Sequence, residues 1–182
     1  MPRAALSRLR RMPHVVTLCT GNAARSVMAG AILAEHVPAV VVSTRGTHVV
    51  EGMPMSWRTR DAIVGVGAKT EGHRSRQLGG ADLSDADLVL AMACEHVEYV
   101  RRRHPEAAAR TGTLKRLARD LPSGTGTLAE RVAALRLDEV VLEPWEDVED
   151  PAGGEPEVFH QCALEIHELL TILRPILEGV PA

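Results

Sequence analysis

A chain of 182 residues with 45% apolar side chains is long enough to bury a substantial core, and its length points to one domain. Its net charge of −3 offers no electrostatic footprint for nucleic acid or a membrane surface, and no apolar run reaches membrane-spanning length. Cys19, Cys94 and Cys162 are too widely spaced for a disulfide framework or a metal-ligand cluster, and with two Trp, one Tyr and one Phe the core has to be aliphatic.

Residues 1–13, MPRAALSRLRRMP, are basic but precede no long apolar segment. They read as a flexible tail ending at Pro13 rather than a secretory signal, which leaves residues 14–182 as the domain. Residues 14–18 (HVVTL) form an apolar, β-branched run, read as a buried strand. Residues 19–25 make a short turn containing Gly21 and Asn22, and from Ser26 a helical composition runs until Pro38. Strand, tight turn and helix make half of a βαβ unit, and ligands of such sheets sit at the carboxyl ends of the strands.

The turn sets the backbone N–H groups of Thr20, Gly21, Asn22, Ala23, Ala24 and Arg25 at a helix N-terminus, where an anion is favoured. Cys19 enters it and Arg25 leaves it. A thiol in that positive potential is drawn toward the thiolate, the nucleophilic form. Arg25 offers a planar fork that matches two phosphate oxygens, and Ser26 can hydrogen-bond the sulfur. C-x5-R alone is a weak signal; the strand, the C-T-G-N-x-x-R-S turn and the helix together carry it. Without the turn, Cys19 would read as an inert buried thiol. A nucleophilic thiolate suits a reduced, cytoplasmic setting.

Further along, residues 39–43 (AVVVS) read as a second apolar strand, and residues 56–67 as a helix opened by Pro54. Residues 86–92 form a third strand and 95–103 a short helix whose arginines 101–103 make a solvated, dipole-complementing end. Residues 111–121 hold a short edge strand passing into a helix. Residues 123–127 are a Gly-rich loop with no strand before it and no GK[ST] after it, hence no phosphate loop. Residues 128–137 form another helix, and Pro156 starts the last one. Its stripe of Ala163, Ile166, Leu169, Leu170, Leu173, Ile176 and Leu177 faces a sheet, with Cys162 in or near the core. Alternating strands and helices predict an α/β fold of three to four parallel strands with helices on both faces.

The turn CTGNAARS resembles the loop C-x-G-N-x-C-R-S of the low-molecular-weight protein tyrosine phosphatases, a family that includes the thioredoxin-coupled arsenate reductases. The resemblance continues in the S-T-R-G-T segment opened by Ser43, in H-x-S-R-Q-L at His73, in the strand at 86–92 and in Asp150-Pro151 before the last helix. It implies a three-layer, four-stranded parallel sheet of order 2-1-3-4, flavodoxin-like. It also implies a phosphatase that works through a cysteinyl-phosphate. In that scheme Cys19 attacks, Arg25 and the loop amides hold the phosphoryl group, and Asp150 acts as general acid and then base. Ser26, His73 and Ser43 become supports, His73 through Asn22. No metal or cofactor is implied. The substrate is a phosphorylated protein or a small phosphomonoester, and the oligomeric state stays open.

Three departures bear on the substrate. Ala24 replaces the second loop cysteine, Ala152 stands where tyrosine phosphatases of the family carry an aromatic after Asp-Pro, and His48, Val49 and Val50 replace a second aromatic. Family membership alone makes phosphotyrosine the default, and phosphoarginine, hydrolysed by some bacterial members, is the other possibility; Ala23, where the loop tracks that preference, fits neither subgroup. A second enzyme reading, a thiol-dependent arsenate reductase, requires two further cysteines, here Cys94 with Cys162 approaching from the last helix, and a third reading, from another class, is a member that binds phosphoproteins without turnover.

Overall fold

The computed structural model describes residues 11–179, so most of the basic tail, residues 1–10, lies outside the described residues. Arg11, within it, pairs with Asp87 at 3.0 Å. The sheet starts with β1 (His14–Cys19), whose Val15, Val16, Thr17 and Leu18 are fully buried. β2 (Val41–Gly46), β3 (Leu88–Ala91) and β4 (Thr111–Thr113) complete a parallel sheet of order β2-β1-β3-β4. This is the topology the family resemblance implies.

α1 (Arg25–His36) connects β1 to β2. α2 (Trp57–Gly65) and α3 (Gly80–Ser84) lie between β2 and β3, and α4 (Cys94–Arg103) lies between β3 and β4. α5 (Leu114–Asp120), α6 (Leu128–Ala133) and α7 (Pro156–Leu177) follow. Val15, Leu88 and Leu90 pack with Met28, Ile32 and Leu33 of α1 and Ile166 and Leu173 of α7. On the opposite face Val16, Leu18 and Val89 pack with Leu83 and Val100. Covering both faces explains why β1 and β3 are apolar without alternation. From β1 the chain winds outward to β2 and then the other way to β3. The carboxyl ends of β1 and β3 therefore form, at Cys19, the switch point where such sheets bind ligands.

Some boundaries differ from the sequence expectation. β2 lies two to three residues later than 39–43, because the chain is still turning through Val40, whose N–H bonds the Val37 carbonyl. As an edge strand, mostly half-buried, it tolerates Ser43, Thr44 and Arg45, which an all-apolar reading misses. α2 is capped by Ser56, which accepts from Thr59 N, so Pro54 only precedes it. α6 ends at Ala133, short of 137. Arg101 is no solvated end: it donates to the carbonyls of Leu137 and Val140 at 2.6 and 2.8 Å.

The segment carrying Asp150 is held by a buried ion pair. Glu146 has a fully buried side chain, bonded twice by Arg116 and once by the Thr113 hydroxyl at 2.7 Å. Burial pushes its carboxyl upward, but those donors and the Glu143 N–H contact outweigh it and hold it below the usual range. Removing one partner of such a pair strands the other charge. Arg116→Met is therefore expected to cost about 3–5 kcal/mol in urea unfolding. It should also lower turnover, because the Asp150 segment loses its anchor.

Candidate active site

The loop after β1 is built around Asn22, whose side chain is fully buried and whose φ of 49° lies in the left-handed region that Asn tolerates. Its carbonyl accepts from Ser75 Oγ at 2.8 Å and from His73 Nε2 at 2.7 Å. Its Oδ1 accepts from the Arg76 N–H at 2.9 Å, and its Nδ2 donates to Ser26 Oγ at 3.0 Å. Ser26 Oγ in turn lies 3.0 Å from Cys19 Sγ. One side chain thus ties the turn to the 73–76 segment and, through Ser26, to the sulfur. Burial lowers the His73 ring below its ordinary pKa, partly offset by the bond to Asn22 and reinforced by Arg74, which favours a neutral donor.

Other elements grip the loop backbone. Just past β2 the chain donates from Thr47 N to the Cys19 carbonyl and from His48 N to the Thr20 carbonyl at 3.0 and 2.9 Å. Thr59 of α2 donates to the Ala23 carbonyl at 3.1 Å. The Thr20 hydroxyl meets Glu95 Oε1 at 3.1 Å and His96 Nε2 at 2.9 Å, both from α4. Ala24, at the N-cap of α1, has no side-chain cap bond, so the first helical amides keep their donors for an anion.

Arg25 is buried. Its guanidinium donates to the Val148 carbonyl at 3.0 Å and to Asp150 Oδ2 at 2.7 Å. Asp150 is 49% exposed, and its other oxygen accepts from the Ala152 N–H at 3.1 Å. The Asp150 segment is stitched to β3 and α4: Val148 N bonds the Met92 carbonyl, and Asp147 caps Cys94 N at 2.7 Å. Beside Arg25 opens a cavity of about 460 Å³ lined by Arg25, Ala93 and Val148 and by four acidic residues, Glu95, Asp147, Glu149 and Asp150.

The structure brings Cys19, the loop from Thr20 to Arg25, Ser26, His73 and Asp150 into one constellation. Ser43 is not part of it. It pairs with Val16, three positions before Cys19, and its hydroxyl contacts His14 Nε2 at 2.9 Å. The shifted register of β2 places Gly46, not Ser43, beside the loop. Ser75, Thr59, His96 and Glu146 were not singled out by sequence reasoning, because their contacts cross between elements far apart in the chain. Ser75 alone carried a signal, as the serine of the H-x-S-R-Q-L segment. The remaining cysteines suit a thiol relay poorly. Burial, with Asp147 nearby, pushes Cys94 up to about 12, and burial pushes Cys162 up to about 12. Among the described residues no three His, Cys, Asp or Glu are placed to hold a metal.

The fold and this loop define a cysteine-dependent phosphatase. The sequence profile of the low molecular weight phosphotyrosine protein phosphatases matches residues 14–121, and the chain belongs to that family. It is 31% identical over 169 residues to a protein-arginine-phosphatase of Geobacillus stearothermophilus, covering 92% of this chain and 98% of that protein. The solved YwlE arginine phosphatase of Geobacillus stearothermophilus superposes with a TM-score of 0.72 at 29% identity, covering 91% of this chain and 93% of that one. A low molecular weight protein tyrosine phosphatase from T. tengcongensis superposes with a TM-score of 0.70 at 30% identity, covering 88% and 97%.

Gly46 has to lack a side chain. A Cβ there would sit 2.5 Å from the Thr20 carbonyl oxygen and 2.9 Å from Asn22 N, both backbone atoms. Gly46→Ala is expected to destabilise by about 1–3 kcal/mol and to weaken inorganic phosphate binding, read by denaturation and calorimetry. A pH dependence follows from His96. Burial, reinforced by the Arg25 charge, pushes its ring from 6.5 to about 3. Below 6.5 the unfolded chain takes up a proton that the folded one refuses. This contribution to stability is complete above that pH and falls by about 1.4 kcal/mol per unit toward the folded value. The urea midpoint should drop more steeply between pH 7 and 5 in wild type than in His96→Gln.

Proposed function

We propose that residues 14–182 form a catalytic domain that dephosphorylates proteins, and that its substrate side chain is phosphoarginine. The Cys19 thiolate attacks phosphorus in line while the loop amides and Arg25 hold the phosphoryl oxygens. The bond from phosphorus to the leaving nitrogen breaks as Asp150 donates a proton to that nitrogen. Asp150, now ionised, takes a proton from water, which attacks the cysteinyl-phosphate and releases inorganic phosphate and the thiolate. Ser26 Oγ, 3.0 Å from Sγ, is placed to donate to the departing sulfur. The chemistry needs Cys19 reduced, which places the working enzyme in a reducing compartment such as the cytoplasm. No helix among the described residues is long and apolar enough to cross a membrane.

The observation that carries the arginine assignment is the cavity beside Arg25. Four acidic residues, Glu95, Asp147, Glu149 and Asp150, line it together with Arg25, Ala93 and Val148, and no aromatic ring is among them. Ala152 and the exposed Val50 occupy the places where an aryl sandwich would be expected. A phenyl ring gains little from such walls, whereas a guanidinium, the cationic product of phosphoarginine cleavage, is matched by them. The relative named a protein-arginine-phosphatase, matched over nearly its whole length, supports the same reading. Phosphotyrosine is the second reading, supported by the solved tyrosine phosphatase at 30% identity.

Metal-independent turnover of p-nitrophenyl phosphate is expected in wild type and should vanish in Cys19→Ser. Asp150→Asn should lower kcat by about 10²–10⁴ on substrates with poor leaving groups. Matched phosphoarginyl and phosphotyrosyl peptides then compare kcat/KM. A preference for phosphotyrosine would overturn the arginine assignment and leave the cysteine chemistry intact.

A further inference from the structure

α4 sends a histidine toward the phosphate loop that the catalytic scheme above does not use. His96 is buried, and its Nε2 lies 2.9 Å from Thr20 Oγ1 and 3.2 Å from Glu95 Oε1. Its Nδ1 is buried with no hydrogen-bond partner. One tautomer of the ring accounts for all of these contacts together. The Thr20 hydroxyl has one proton, and it points to Glu95 Oε1, an acceptor. The short contact to His96 is then satisfied only if the ring donates from Nε2. The orphaned Nδ1 is the bare nitrogen of that tautomer, in keeping with the rarity of buried N–H groups without an acceptor.

We infer that His96 is a positioning residue for the phosphate site: its Nε2–H donates to the Thr20 hydroxyl and fixes the first residue of the loop against α4. Thr20 is then held on two sides, by β2 through its carbonyl and by α4 through its hydroxyl. The peptide groups on either side of Thr20 belong to the cradle proposed for the phosphoryl oxygens, so their orientation inherits this restraint. Burial and Arg25 keep the ring neutral, so it holds the loop without placing a second positive charge beside Arg25. The inference rests on the phosphatase reading for its meaning, but the bond it assigns is testable without turnover.

The test is a double-mutant cycle read by calorimetric binding of inorganic phosphate and, in parallel, by kcat and KM on p-nitrophenyl phosphate. His96→Leu removes the donor and Thr20→Val removes its acceptor. The second change keeps the buried His96 ring itself in place and stays informative if the first variant folds poorly. Each single change is expected to weaken phosphate binding by roughly 2- to 12-fold, the range for one net hydrogen bond. The double variant is expected to be little worse than either single one, because both delete the same bond. His96→Gln, whose amide reaches the place of Nε2, should recover most of the affinity, and His96→Asn, which is too short, should not. Unchanged affinity in both single variants, or fully additive losses, would overturn the assignment. Absence of turnover in a wild type that still binds phosphate would count against the catalytic reading alone.

Discussion

Much of this structure depends on one buried amide. The Asn22 side chain spends its donor on Ser26 and its acceptor on the backbone of the 73–76 segment, while its carbonyl takes two more bonds. A polar group carried into the interior is costly unless its hydrogen-bonding capacity is filled, and here the partners come from α1 and from a loop more than fifty residues away. Satisfying Asn22 therefore closes the turn in one conformation only. That conformation, with φ at 49°, curls the chain at the turn before α1. The proposed phosphate cradle is in this sense a by-product of burying an asparagine correctly.

The sheet supplies the rest of the frame. Because β1 is central, every grip on the loop comes from a neighbouring element: the end of β2 from one side, α2 from the helix face, and α4 and the segment after Glu146 from the side of β3. Each grip is one or two hydrogen bonds, individually modest. Their value lies in direction, since a loop held from several sides cannot relax toward any of them when the phosphate leaves. Preorganised dipoles of this kind need no reorganisation as charge develops in the transition state.

The loop, its flanking strand and helix and the Asp-Pro turn were legible in the sequence because they are local. CTGNAARS carries its chemistry within eight consecutive residues, and the apolar runs at 14–18 and 86–92 declare buried parallel strands. β2 was misjudged for the opposite reason. An edge strand has one neighbour and partial exposure, so Ser43, Thr44 and Arg45 fit there although no apolar pattern announces them. Glu146 read as one more acid in a crowded turn, and only the fold reveals Arg116 waiting thirty residues upstream. His96 is harder still, since a lone histidine near a helix start has no pattern at all. The Ser43 assignment failed with the strand boundary: moving β2 by three residues exchanges a serine for Gly46 at the loop.

The contact between Arg25 and Asp150 gives the site its internal logic. At 2.7 Å the carboxylate occupies one arm of the guanidinium proposed to receive the phosphoryl group. An incoming dianion competes for that arm, and its higher charge favours it over a half-exposed carboxylate whose pairing is weakened by solvent. In the proposed mechanism, displacing Asp150 from Arg25 frees its carboxylate toward the mouth of the cavity, where it takes up a proton from solvent and can pass it to the leaving nitrogen. The backbone of that segment need not move far, because Glu146 anchors it below and Pro151 restricts it above. In the proposed mechanism, substrate binding and delivery of the acid are thus opposite ends of one exchange of partners at Arg25.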